Sequence, residues 1–248
     1  HGNDATQGAI LTARAHTHRK KLIFFHGFYH GVSPMVQKID YPGVTPEDVA
    51  NNLYTPWDDI ENFKKLLAEN EGEIAAVIAQ PYNHGNFNDN SFPIDGFWKE
   101  VRELCTKNEI VLIVDDVRCG FRLDLAGSDH FFGFEADIIC FCKALANGWN
   151  VSALCGKDWL KGAISGLSYT GSYWMSAVPF AAAIACINKM KEIEAPKLFR
   201  EKGLMLTNGL KDAAANNGFD LVGTQIRTKL KDTQEHYGDV DSGMRFIT

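Results

Sequence analysis

Continuous apolar runs alternate along this chain with segments in which apolar residues recur every three or four positions. Short runs rich in Val and Ile and without alternation are typical of strands buried on both faces of a sheet. Five runs fit this pattern: "KLIFF" (21–25), "IAAVIAQP" (74–81), "IVLIVDD" (110–116), "DIICFC" (137–142) and the shorter "SALCG" (152–156).

The intervening segments have helical periodicity. Residues 5–20, for example, place Ala9, Ile10 and Ala13 on one face. Similar spacing predicts helices over 57–70 and 95–108, and a largely helical region from about 176 to 216. Buried strands that alternate with amphipathic helices predict an α/β fold built on a mostly parallel sheet, whose ligand crevice lies at the carboxyl ends of the strands.

Polar residues lie at or directly after the ends of four of the predicted strands. Because the carboxyl ends of parallel strands lie at one edge of a sheet, we expect these residues to lie close together. A lysine at the end of an apolar strand is costly unless it is paired, neutralised or used chemically. The residues at this edge are Tyr29 and His30 after the first run, Gln80 in the second, Asp115 and Asp116 in the third and Lys143 after the fourth.

The opening "HGNDAT" begins the first predicted helix, where Gly2 allows close approach and backbone N–H groups are free. An anion site, a lysine, an acid and an aromatic ring are the groups that pyridoxal 5′-phosphate requires in a protein. The lysine forms a Schiff base, and the acid keeps the pyridine nitrogen protonated.

Several segments together resemble class III (ω-type) aminotransferases, a fold type I pyridoxal-phosphate family. The similarity extends in order over about residues 1–215, and "GFYHG" and "GFRLDLAG" are most similar to the glutamate-1-semialdehyde aminomutase subgroup. The segments are "GNDATQGAILTARAHTHRKKLIFFHGFYHG", "VLIVDDVRCGFR", "ICFCKALANGWNVSALCG" and "TGSYWMSAVPFAAA".

The resemblance implies a role for each matching position. Lys143 matches the Schiff-base lysine, and Asp115, 28 residues earlier, matches the acid at the pyridine nitrogen. Val117 would contact one face of the cofactor ring and Tyr29 the other.

The resemblance also implies a phosphate site. Gly2, Asn3 and Asp4 would hold the phosphate, largely through backbone N–H groups, and Thr170 or Ser172 would reach the phosphate of a neighbouring subunit. Asn3 stands where the family usually has Ser or Thr, and Asp4 where Glu is usual.

Further departures affect other parts of the site. Asp116 also replaces a usual Glu, Gln80 stands where a Glu before Pro is common, and "SYWMSAVP" differs from the usual third loop. Taken singly, Lys143 is typical of a lysine at a strand end that reaches solvent. Asp115, taken singly, is typical of a residue that caps a helix or a turn. Their occurrence in the family's order favours the cofactor site.

We therefore expect a pyridoxal-phosphate aminotransferase that passes an amino group from an amine or amino acid to an oxo acceptor. One alternative is an aminomutase, which moves the amino group within one substrate. Another is a non-catalytic relative that keeps the fold as an interaction module. The family implies a homodimer with shared active sites. Trp174, Met175 and Phe180 are expected in a core or an interface.

Composition and charge bear on the possible partners, metal sites and location of the protein. The 248 residues carry a formal net charge of -6 without a basic cluster, which does not favour nucleic-acid partners. No apolar run approaches the roughly 20 residues of a membrane span. Six cysteines without zinc-ligand spacing indicate no metal site and favour a reducing, cytoplasmic location. Cys140, Cys142 and Cys155 are expected to be small buried residues.

The predicted organisation is a large cofactor-binding domain over 1–216 and the beginning of a smaller domain over 217–248. The abrupt ends suggest a piece of a longer protein whose domain begins before residue 1.

Overall fold

A computed structural model describes residues 1–84 and 90–219, and in this part of the chain the fold centres on one six-stranded sheet. The strands are β1 (Lys21–Phe25), β2 (Asn52–Thr55), β3 (Ile74–Ala79), β4 (Val111–Asp115), β5 (Ile138–Phe141) and β6 (Ala153–Gly156).

Eight α-helices and three short 3-10 helices surround the sheet in the described ranges. The α-helices are α1 (Gly2–Thr17), α2 (Pro46–Val49), α3 (Ile60–Glu69), α4 (Phe97–Lys107), α5 (Ser128–Phe132), α6 (Lys161–Ser165), α7 (Ala177–Glu192) and α8 (Ala195–Asn216). The 3-10 helices are Pro34–Val36, Lys143–Leu145 and Asp158–Leu160.

The strand order is β2-β1-β3-β4-β5-β6, and the pairs from β2 through β5 are parallel. The edge strand β6 runs antiparallel to β5. The carboxyl ends of β1, β3, β4 and β5 therefore lie at one edge of the sheet. This confirms the predicted α/β architecture with a mostly parallel sheet.

Helices cover both faces of the sheet, which explains why its central strands are apolar along almost their whole length. Every residue of β3 and β4 is buried. On one face α1 packs its small side chains, including Ala9, Ile10 and Ala13, against the strands. On the other face α3 and α4 contribute Phe63 and Phe97 to a second cluster. The helical face predicted for α1 is confirmed.

A smaller third cluster joins the loop beyond β5 to the C-terminal helices. Phe121 and Phe141 pack there with Ala183 and Met190 of α7. Most residues of α7 and α8 are partly or fully exposed, so these two helices are held by fewer buried contacts than α1. No helix within the described ranges combines the length and apolar character needed to cross a membrane.

The boundaries differ from prediction in a few places. Helix α1 begins at Gly2 and ends at Thr17, because His18 takes a left-handed backbone conformation with φ of 56°. Helix α3 begins only at Ile60, because Asp59 caps it by accepting a hydrogen bond from the Asn62 N–H. Strand β2 and the short helices α2, α5 and α6 were not predicted. β2 is a four-residue edge strand that is only partly buried, so its sequence lacks a continuous apolar run.

The cysteine prediction is correct in part. Cys140 is buried, but Cys142, just after β5, is only half-buried, and Cys155 is exposed because β6 is an edge strand. All six cysteines are free. The proposed second domain, residues 217–248, lies outside the described residues apart from 217–219, so the domain division stays a prediction.

Candidate active site

A cavity of about 700 Å³ opens at the carboxyl edge of the sheet. Its volume suits a small organic molecule, for which protein pockets typically measure roughly 300–1,000 Å³. Seven of the eight residues predicted for the cofactor site line this cavity: Gly2, Asn3, Asp4, Tyr29, Asp115, Val117 and Lys143.

Asp115 is the last residue of β4 and is almost completely buried at the base of this site. His30 Nδ1 lies 2.8 Å from Asp115 Oδ2, and the Val117 N–H donates to Oδ1 at 3.2 Å. Because a carboxylate only accepts hydrogen bonds, His30 carries its proton on Nδ1 when Asp115 is ionised. Both oxygens are thus bonded, which fixes the orientation of the buried charge.

Lys143 lies just beyond β5 and is exposed toward the cavity rather than buried. Its backbone φ of 38° is in the left-handed region, which is unfavourable for a residue with a side chain. Hydrogen bonds from the Leu145 N–H to the Cys142 carbonyl and from the Asn147 N–H to the Lys143 carbonyl hold this turn. The strand end therefore delivers the amine to the cavity, and no burial cost has to be offset.

The beginning of α1 forms another wall of the cavity. A Cβ at Gly2 would lie 2.7 Å from Val117 Cγ1, so only glycine allows the helix start to approach β4 this closely. The first N–H groups of a helix have no intrahelical acceptor and bear partial positive charge, and together they form an anion site. The helix thus begins at Gly2, three residues before the predicted boundary, and the close approach expected for this glycine is present.

Asn3 and Asp4 also have structural tasks at this helix start. Asn3 Oδ1 accepts the N–H groups of Val32 and Ser33 at 2.8 and 2.9 Å, which ties the loop after β1 to α1. The Asp4 N–H donates to the His1 carbonyl at 3.0 Å. The Asn3 side chain and the Asp4 N–H therefore already have partners within the chain.

Two further edge residues organise the loops. Gln80 Nε2 donates to the Tyr29 carbonyl at 2.9 Å and so joins the ends of β3 and β1. Asp116 turns away from the cavity and accepts the Ser128 N–H and hydroxyl at 2.9 and 2.6 Å. Burial raises the pKa of Asp116 to about 7, although the two Ser128 hydrogen bonds lower it.

Thr170 is exposed and is not among the residues that line this cavity. Ser172 lines a neighbouring cavity of about 630 Å³, together with the apolar side chains of Trp174, Met175 and Phe180. These three side chains are exposed, so of the two expected locations, a core or an interface, the structure excludes the core, and the interface stays a prediction.

The cavity residues that were not among the predicted site residues include His30, His84 and Arg118. His30 was recognised at the sheet edge, but its partner Asp115 is 85 positions away in sequence. Arg118 directly follows Val117 within the recognised "VDDVRCGF" segment, which is a signal that could have been used. His84 lies in the loop after β3 and had no distinguishing pattern.

These residues fit pyridoxal 5′-phosphate. The cavity combines an accessible amine, a buried carboxylate with fixed orientation, an exposed aromatic ring and a helix start closely approached through glycine. An α/β sheet with this set at its carboxyl edge is the arrangement of a fold type I pyridoxal-phosphate enzyme.

Residues 1–229 match the family described as Aminotransferase class-III, and the chain belongs to this family. The resemblance drawn from the motifs is thereby confirmed, and pyridoxal 5′-phosphate is the cofactor that the family and a similar solved structure indicate.

Individual relatives agree. Aminopentol aminotransferase of Sphingopyxis macrogoltabida is 35% identical over 220 residues, which cover 89% of this chain and 52% of that protein. Glutamate-1-semialdehyde 2,1-aminomutase of Methanococcus vannielii is 36% identical over 169 residues, 63% of this chain and 39% of that protein. The PLP internal aldimine form of the FumI protein from Sphingopyxis sp. MTA144 superposes with a TM-score of 0.85 at 35% identity, covering 90% of this chain and 54% of that one. The chain thus spans about half the length of aminopentol aminotransferase.

Proposed function

We propose that this protein is a pyridoxal-phosphate-dependent aminotransferase that transfers an amino group from an amine or amino acid to an oxo acceptor. One observation carries the proposal: the amine of Lys143 shares a cavity with the Asp115–His30 pair and with the start of α1. Family membership supports it, and aminopentol aminotransferase is among the similar proteins.

Lys143 would hold the cofactor through its ε-amine. When bound, pyridoxal phosphate supplies an electron sink for a bond that breaks at the substrate carbon. With an amino substrate in the site, the free ε-amine of Lys143 would take a proton from that carbon and return it. Its exposure to the cavity supports this role, because the amine needs room to move between the two tasks.

Asp115 would hold negative charge beside the pyridine nitrogen. Hydrogen bonds from His30 and from the Val117 N–H support this role, since they stabilise the ionised carboxylate in a buried place. Val117 and Tyr29 would contact the two faces of the ring, and the Gln80 bond to the Tyr29 carbonyl would hold the tyrosine loop in position.

The cofactor phosphate would bind at the start of α1, at the N–H groups of Gly2 and Asn3, with Asp4 beside them. The partial positive charge of a helix N-terminus favours such an anion. Because the Asn3 side chain already binds Val32 and Ser33, its contribution to the phosphate would come from the backbone.

We further propose a homodimer in which Thr170, or Ser172, reaches the phosphate site of the second subunit. Support comes from the exposed apolar side chains beside these residues: Tyr173 is 86% and Met175 87% exposed. Exposed apolar side chains grouped in this way are typical of an interaction surface.

The six free cysteines favour a reducing compartment, and we propose a cytoplasmic location.

The test is chemical. The full-length protein is mixed with pyridoxal phosphate, reduced with borohydride and digested, and the modified peptide is identified by mass spectrometry. We expect the label on Lys143, no label after Lys143→Ala, and full labelling of the control Lys161→Ala, which changes an exposed lysine outside the cavity.

The second half of the test asks for group transfer. An aminotransferase releases an oxo product from the donor and transfers its nitrogen to the acceptor, whereas an aminomutase releases neither. If the protein is folded but borohydride fixes no pyridoxal phosphate on Lys143, the proposed function is contradicted and a non-catalytic relative is favoured.

A further inference from the structure

Arg118 and His84 form a pair in the wall of the site cavity to which the proposed chemistry assigns no task. Arg118 Nη1 donates to His84 Nδ1 at 2.9 Å and to the His84 carbonyl at 3.0 Å. These two hydrogen bonds use one nitrogen of the guanidinium. The long side chain is therefore held in place while Nε and Nη2 have no partner among residues 1–84 and 90–219.

His84 is held as a hydrogen-bond donor. Because Nδ1 accepts from Arg118, the ring proton of the neutral imidazole lies on Nε2. Burial and the neighbouring Arg118 charge lower the pKa of His84 to about 3, so the ring is neutral. Nε2 is buried and has no hydrogen-bond partner in the described part of the chain. The buried ring and the His84 carbonyl thus hold Arg118 Nη1 in a fixed position.

The charges of the cavity leave Arg118 without an acidic partner in the described ranges. No carboxylate there forms an ion pair with it. Asp115, the buried acid nearest in sequence that lines the cavity, is bonded to His30 and to the Val117 N–H. The helix start that suits a phosphate is a different wall, formed by Gly2 and Asn3. The cavity therefore has a second place for negative charge.

We infer that Arg118, positioned by His84, binds a carboxylate of the substrate, so that the site takes amino and oxo acids with a carboxylate close to the reacting carbon. The free edge of a guanidinium, Nε and Nη2, matches the two oxygens of a carboxylate and forms paired charge-assisted hydrogen bonds. Since Arg118 adjoins Val117 in sequence, such a carboxylate would lie near the cofactor ring. This inference rests on the proposed function for its reaction, but the binding of the carboxylate can be measured separately.

The experiment compares two probes that cannot react because they lack an amino or oxo group. Propanoate and its neutral counterpart propanamide are titrated calorimetrically into the full-length protein, with and without pyridoxal phosphate. We expect the wild type to prefer propanoate. Arg118→Met should weaken propanoate binding by about 10- to 100-fold, the usual range for losing hydrogen bonds to a charged group, and leave propanamide unchanged.

Two variants control this measurement. Arg122→Met removes a nearby arginine that does not line the cavity and should bind propanoate as the wild type does. Arg118→Lys keeps the charge but loses the planar fork, and we expect about tenfold weaker binding. If circular dichroism finds Arg118→Met unfolded, the lysine variant decides the question in its place.

The outcomes separate the inference from the proposed function. Equal propanoate affinity in the wild type and in the folded Arg118 variants overturns the carboxylate site. An altered absorbance of the bound cofactor with an unchanged preference for propanoate also overturns it, because Arg118 would then contact the cofactor. If borohydride labels no lysine but Arg118→Met still loses propanoate, the proposed function fails and the carboxylate site stands.

Discussion

Two regions of this chain that lie close to the active site are built in opposite ways. The carboxyl ends of β1, β3 and β4 are buried and joined by hydrogen bonds within the chain, among them those of Asp115 with His30 and of Gln80 with the Tyr29 carbonyl. The segment around 170–180 is mostly exposed and carries apolar side chains. The first region is ordered by its own chain, whereas the second has the exposed apolar side chains that are typical of an interaction surface.

The largest expected difference between these regions is in stability. Ile113 is fully buried in β4, so Ile113→Ala should lower the free energy of unfolding by about 2–5 kcal/mol. Tyr173→Ala, in the exposed segment, should change it by no more than about 0.5 kcal/mol. Urea unfolding at protein concentrations low enough to favour the monomer measures both. Equal losses would mean that the segment packs into the chain's own core.

The second prediction concerns charge in the ordered region. Asp115→Asn keeps the shape of the side chain but removes the buried charge, and we expect the transfer rate to fall by about 100-fold or more. Borohydride should still fix the cofactor on Lys143, since the amine is unaffected. Asp212→Asn, an exposed position on α8, is the control and should leave the rate unchanged. An undiminished rate in Asp115→Asn would remove the acid from the proposed mechanism.

The third prediction concerns the exposed segment. Met175→Glu places a charge on the proposed interface, and burying it there without a partner should weaken dimer formation by about tenfold or more. Sedimentation velocity over a range of concentrations gives the dissociation constant. Because Met175 is exposed in the single chain, circular dichroism should remain unchanged. A dimer that tolerates this change uses another surface.

A further prediction is a dependence of stability on pH that comes from Asp116. Burial raises its pKa to about 7, above the ordinary value near 4 in the unfolded chain. Between these values the folded state binds more protons than the unfolded state, so this group's stabilising contribution is complete below about pH 4 and is lost as the pH rises toward 7. Over one unit, from pH 5 to 6, the loss is on the order of 1 kcal/mol.

Asp116→Asn should remove this component, because an amide does not titrate and can still accept the Ser128 N–H. The measurement is urea unfolding of both proteins at pH 5 and pH 7. If the difference between the two pH values is the same in wild type and variant, Asp116 is already ionised in the folded protein at pH 5.

The contrast between the two regions also explains which residues of the fold and the site could be predicted from the sequence and which could not. Lys143 and Asp115 were found because each ends a continuous apolar strand, and parallel strands bring such ends together. The pairing of Asp115 with His30 depends on how the loop after β1 folds back, which no local pattern records. For Trp174 the sequence left a core and an interface both open, because apolar character alone does not distinguish the two.

The link between Asn3 and the loop after β1 limits the order in which this site can change in evolution. Asn3 Oδ1 lies only 2.4 Å from where a Cβ on Gly31 would be, and Gly31 has a φ of 120°. A lineage that carries this asparagine therefore has to keep the glycine. A return to the serine or threonine more usual in the family would leave the N–H groups of Val32 and Ser33 without their acceptor. Gly31 is thus required both by its own backbone conformation and by Asn3, so replacing the asparagine would remove only one of the two constraints on this glycine.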